Sequence, residues 1–143
     1  AYPVVVGKAI FELSGINHSF RLEKMMIQMG GGTGDIYLVR ANATADNDIK
    51  TVSIKDVLMD LNNSGDKFLF YTSGFTLQKF VVSGCDDLGG ATKIQYQGTK
   101  ARIEDFDGDI TNAFGSDTDG TSWTLINCPG TKTNLANATL VNS

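Results

Sequence analysis

Apolar and polar residues alternate along most of this chain, which is the period of strands with one buried face. Val4 to Leu13 places Ala9, Phe11 and Leu13 on one side. Asp35 to Ala41 places Ile36 and Leu38 opposite Tyr37 and Val39, as in a strand covered on both faces. Lys67 to Thr72 and Phe75 to Ser83 are rich in aromatic and β-branched residues, and Ser73-Gly74 between them permits a tight turn. Ala91 to Gln97 and Lys100 to Phe106 flank Gly98-Thr99. Asp107-Gly108, a favoured hairpin dipeptide, leads into Asp109 to Phe114. Thr121 to Cys128 aligns Trp123 with Leu125 and stops at Pro129-Gly130.

Two segments break the alternation. Ile54, Val57, Leu58 and Leu61 recur at helical spacing behind Ser53, with Asp56 three residues on, and this predicts a short helix over 54–62. Residues 20–29 read two ways. Leu22, Met25, Met26 and Met29 suit a helix closed by Gly30, or a strand with a bulge near Lys24; strand-like neighbours favour the strand. No internal repeat and no linker divide the chain. The expectation is a mainly β protein, an antiparallel β-sandwich or barrel with one short helix. It forms a single domain over 1–143 with an extended C-terminal tail over about 129–143.

The 143 residues suffice for one core, and 41% of them are hydrophobic, which excludes an intrinsically disordered chain. The net charge of −4 is unevenly spread. Bases and acids cancel over residues 1–100. Beyond them Arg102 and Lys132 face Glu104, Asp105, Asp107, Asp109, Asp117 and Asp119. Such a balance offers no attraction to phosphate backbones or anionic membranes, so neither nucleic acid nor a membrane is the expected partner.

Candidate chemistry is sparse. Gly30-Gly31-Gly32-Thr33-Gly34 runs into Asp35 where a phosphate-binding loop needs Lys. Asp105, Asp107 and Asp109 form an alternating oxygen series of the sort calcium prefers, but Ala113 and Ser116 stand where further ligands belong, so a solvated acidic hairpin is the better reading. Cys85 and Cys128 are either buried thiols or a bridge between neighbouring strands. With His18 as the one histidine, neither zinc ligation nor a nucleophile–base pair is expected. Tyr2, Tyr37, Tyr71, Tyr96 and Trp123 could stack on sugars, though core packing is the commoner use of such rings. Met25, Met26 and Met29 make an adaptable surface for a core or a partner. Glycosylation sequons begin at Asn17, Asn42, Asn62 and Asn137.

No catalytic, cofactor-binding or metal-binding residue is therefore assigned. The expected function is a non-enzymatic structural subunit of a multi-copy assembly. Its most concrete form is a bacteriophage virion protein, either capsid cement or decoration or a tail-tube subunit, made in the host cytoplasm and contacting copies of itself or a capsid or tail protein. The alternative is a secreted lectin-like or carbohydrate-binding module.

Overall fold

The computed structural model describes residues 9–13, 19–32, 34–41, 51–72, 79–88, 92–97, 100–113 and 122–143. The strands are β1 (Ala9–Leu13), β2 (Phe20–Gly32), β3 (Ile36–Ala41), β4 (Thr51–Asn63), β5 (Lys67–Thr72), β6 (Lys79–Ser83) and β7 (Asp86–Asp87). They continue as β8 (Thr92–Tyr96), β9 (Ala101–Glu104), β10 (Ile110–Asn112), β11 (Trp123–Ile126), β12 (Lys132–Thr133) and β13 (Thr139–Val141). One sheet, here sheet A, runs β1-β3-β5-β8-β10-β12. The other, sheet B, runs β13-β11-β9-β6-β4-β2, with β7 also on β4. Every pairing is parallel.

Successive strands thus alternate between two parallel sheets, and each circuit of the chain stacks on the one before. The architecture is a parallel β-solenoid, which overturns the expected antiparallel sandwich or barrel. The expected hairpin at Asp107-Gly108 fails for the same reason. Its flanks, β9 and β10, belong to different sheets, so the dipeptide turns a corner rather than reversing a strand. The turns at Ser73-Gly74 and Gly98-Thr99 lie outside the described residues.

Two corners recur in register. The first opens four of the six sheet A strands, β3, β5, β10 and β12, with Gly followed by Asp or Thr: Gly34-Asp35, Gly65-Asp66, Gly108-Asp109 and Gly130-Thr131. The Asp35 Oδ1 accepts the Asp66 N–H at 3.0 Å, and the Asp109 Oδ1 accepts the Thr131 N–H at 3.1 Å, so each carboxylate ties its coil to the next. Contact between coils is close here. A Cβ at Gly130 would lie 2.2 Å from the Gly108 carbonyl oxygen, and one at Gly65 would lie 2.1 Å from that of Gly34.

The second corner bends sheet B strands through a left-handed residue. Lys24, Asp56, Gly84, Asp105, Asn127 and Asn142 have φ between 51° and 63°, and each stands above the last in register. Asn, Asp and Gly tolerate this region best, which accounts for most of the set. Two residues earlier runs an aliphatic ladder of Leu22, Ile54, Val82, Ile103, Leu125 and Leu140. One residue later Val57, Cys85, Phe106 and Cys128 turn inward and are buried.

This corner explains the false helix. Within β4, Val52 and Ile54 alternate inward up to Asp56. The corner then slips the phase by one, so Val57, Met59 and Leu61 point inward. Two strand segments joined by an odd step imitate helical spacing, and 54–62 is strand. The same slip at Lys24 makes 20–29 a strand, as favoured.

Between the sheets runs an aromatic spine. Phe70 and Tyr96 from sheet A interleave with Phe80 and Trp123 from sheet B, with centroid distances of 4.6 Å (Phe70–Phe80), 4.7 Å (Phe80–Tyr96) and 5.0 Å (Tyr96–Trp123). All four are buried. The buried Tyr96 hydroxyl donates to the Lys100 carbonyl at 3.0 Å, which satisfies its polar end.

The glycine corners give a direct test. Gly130→Ala should destabilise the fold by about 1–3 kcal/mol, because its methyl group must push apart two hydrogen-bonded coils. Thr133→Ala, at an exposed position of the same coil, should change stability by less than about 0.5 kcal/mol. Urea unfolding of both variants measures the difference.

Candidate functional site

The circuits shorten along the axis. In the aliphatic ladder 32 residues separate Leu22 from Ile54, but only 15 separate Leu125 from Leu140. Beyond the second corner β2 and β4 run on to Gly32 and Asn63, whereas the third circuit has only the short β7 there. In the next two circuits Phe106 and Cys128 pass almost directly into Gly108 and Gly130.

This step leaves a cleft of about 300 Å³ lined by Cys85, Asp86, Asp87, Thr92, Phe106, Asp107 and Gly108. Its inner carboxylate, Asp87, is engaged. It lies 3.7 Å from the Lys67 Nζ with only 4% of its side chain exposed, and it accepts from the Thr92 hydroxyl and the Leu61 N–H. A buried carboxylate held this way is a structural tie. Asp86 and Asp107 are exposed at the rim.

The Asp-x-Asp-x-Asp series straddles both corners, which separates its roles. Asp105 is the left-handed residue of one corner and accepts from the Asn127 Nδ2 at 3.0 Å. Asp109 opens the next coil and holds Thr131. Among the described residues no three His, Cys, Asp or Glu side chains converge on a metal-sized site. His18 lies outside the described residues, as do Asp117 and Asp119. So do Tyr2, Thr33 of the Gly-rich loop, and the side chain of Met29.

Cys85 and Cys128 occupy the same position of the second corner, two coils apart with Phe106 between. At about 4.8 Å per coil their Cα atoms stand too far apart to bridge, and both thiols are free and buried. Of the two readings open for the pair, buried thiols hold, and the register sets the strand of Phe106 between them. Each sulfur lies near the carbonyl of the preceding coil, Cys85 Sγ at 3.6 Å from Ile54 and Cys128 Sγ at 3.4 Å from Ile103. Ser143 repeats the arrangement, its Oγ donating to Leu125 at 3.2 Å and accepting the Cys128 N–H at 2.9 Å. Burial pushes the Cys85 thiol up to about 11, and the carboxylate of Asp56 adds to the effect. Burial raises Cys128 as well. These sulfurs act as corner fillers, not nucleophiles.

Of the five rings considered for sugar stacking, Tyr96 and Trp123 belong to the spine. Tyr37 and Tyr71 lie on the outer face of sheet A with Phe68, at centroid distances of 5.1–5.2 Å. The Arg40 guanidinium sits 5.1 Å over Tyr37 and pairs with Glu12 at 3.2 Å. Burial, and then the nearby Asp35, raise the Tyr37 hydroxyl.

A second hollow escaped sequence reasoning. On the outer face of sheet B a groove of about 290 Å³ is lined by Lys79, Phe80, Val81, Lys100, Ala101, Arg102 and Ser122. No local motif announces it, because its cations come from separate coils. Large exposed apolar side chains lie on both sides of the second corner: Met25 is 39%, Met26 61% and Leu88 62% exposed beyond it, and Leu140 and Val141 are exposed before it.

The buried thiols make stability depend on pH. The folded state favours the neutral Cys85 thiol, so its contribution is complete below the ordinary value of 9.0 and is lost as pH climbs from there through about 11. Urea unfolding at about pH 10.5 should show a loss on the order of 1–2 kcal/mol relative to pH 8. Cys85→Ala should flatten that slope, and neither thiol should react with Ellman's reagent before unfolding. Equal stability at the two pH values would contradict this account.

Comparison with known proteins gives no matching family model, no matching curated protein and no matching solved structure.

Proposed function

We propose that the chain is a non-enzymatic structural subunit working in many copies, in its most concrete form a bacteriophage virion protein of the capsid-decoration, cement or tail-tube kind. The observation that carries this reading is the apolar surface beyond the second corner. Met26 pairs in register with Leu58, which itself pairs with Asp86; Leu88 follows β7 and donates its N–H to the Met59 carbonyl. Exposed large apolar side chains favour contact with a partner, and methionine adapts its shape to one. The stacked coils supply a stiff support for such a surface, since each is hydrogen-bonded to its neighbours along both sheets.

Light scattering coupled to size exclusion tests the reading. The protein should run as a discrete oligomer. Met26→Glu with Leu88→Glu should shift it to monomer while the circular dichroism spectrum stays unchanged, because both side chains are exposed. A wild-type protein that stays monomeric at all concentrations overturns it.

A second reading, carbohydrate binding, is favoured by the outer cluster of Tyr37, Phe68 and Tyr71 with the Arg40–Glu12 pair beside it. Rings beside fixed polar groups suit sugar faces and their hydroxyls. Affinity electrophoresis in polysaccharide gels should then show retardation that Tyr37→Ala with Tyr71→Ala abolishes. Equal mobility with and without polysaccharide removes this reading.

A further inference from the structure

The groove on sheet B carries an unbalanced charge. Phe80 pairs with Ala101, which sets Lys79 and Lys100 side by side on adjacent strands, and Val81 pairs with Arg102. Like charges in register, roughly 4.8 Å apart by strand spacing, repel. Arg40 has Glu12, Lys67 has Asp87, and Lys93 has Asp66 at 3.0 Å, whereas Lys24 and Lys55 stand singly without a carboxylate among the described residues. Arg102 has Glu104, but Lys79 and Lys100 have no carboxylate partner among the described residues, and both are exposed.

Past the second corner the same two circuits carry the opposite sign. β6 starts at Lys79 and the chain turns at Gly84 to reach Asp86 in β7; β9 follows Lys100 and the chain turns at Asp105 to reach Asp107. Asp86, Asp105 and Asp107 are exposed, and neither Asp86 nor Asp107 has a basic partner among the described residues. Five residues of strand span about 17 Å, well beyond the screening length of about 8–10 Å. Each molecule therefore has a basic edge and an acidic edge at the same height on the solenoid.

We propose that the groove of Lys79, Lys100 and Arg102 receives the acidic corner of a second copy, so that copies pack side by side through Asp86 and Asp107. Charge complementarity selects this occupant. The contact is heterologous, one edge against a different edge, and it closes into a ring or continues as a row according to the rotation between copies. The proposal rests on the multi-copy reading and names the surfaces that would orient neighbours within it.

Sedimentation velocity on charge-swapped variants tests it. K79E with K100E makes both edges acidic; D86K with D107K makes both edges basic. All four side chains are exposed, so the fold should be retained. Each variant alone should lose self-association by about tenfold or more, and an equimolar mixture should regain it as alternating species. Wild-type association should weaken as salt rises from about 50 to about 500 mM. Variants that associate like the wild type overturn this contact while leaving the multi-copy reading intact. A monomeric wild-type protein overturns both. If inorganic phosphate raises the melting temperature of the wild type, but not of K79E with K100E, while association of all variants is unchanged, the groove is a small-anion site and the proposal fails.

Discussion

One constraint organises this molecule: in every circuit a residue in the left-handed region must sit directly above the left-handed residue of the circuit below. Parallel pairing without register shifts along most of sheet B enforces it, because a slip of one residue would turn every inward side chain to solvent. From Lys24 to Asn142 the corner repeats with φ within a narrow range, and the residues on either side inherit fixed tasks. The one before pairs outward along the strand. The one after fills the corner, whether as Val57, Cys85, Phe106 or Cys128. A thiol, a phenyl ring and a β-branched side chain are interchangeable there because the position demands burial rather than chemistry.

The second determinant is taper. The early circuits carry long segments beyond the corner, and the later ones pass from corner to corner with almost nothing between. Where the long segment of β4 meets the short β7, the outline steps inward. The acidic cleft and the exposed Leu88 both belong to that step. The Asp105–Asp109 series follows from the same shortening. Two corners that are far apart in the first circuits nearly fuse at residues 105–109, and the acids that serve each one fall into an apparent motif.

Along the chain, charge forms a balanced body with an acidic segment. The coils redistribute it. Lys79 and Lys100 are 21 residues apart in sequence and neighbours in space, and Asp86 and Asp107 line one cleft past the second corner. The molecule is thus polarised across its width, a property that net charge does not express.

The sequence by itself determined most strand positions and the burial of Trp123 and Leu125, since these follow from local period and side-chain type, and it leaned to strand for residues 20–29 only through their neighbours. It did not determine direction. Gly-Asp and Asp-Gly pairs supply the backbone freedom needed for a hairpin reversal or for a coil corner alike, and alternation looks the same in parallel and antiparallel pairs. The corner motif did recur, from Leu22-Glu23-Lys24-Met25 through Ile103-Glu104-Asp105-Phe106 to Leu140-Val141-Asn142-Ser143, but at intervals shrinking from 32 to 15 residues, which hides it from any search at fixed period. Only tertiary structure decided that Ile54 and Val57 lie on either side of a bend rather than on one helical face. It alone kept Cys85 from Cys128 and joined Lys79 to Lys100. Such contacts are long-range pairings between coils, and their register is set by stacking the whole solenoid.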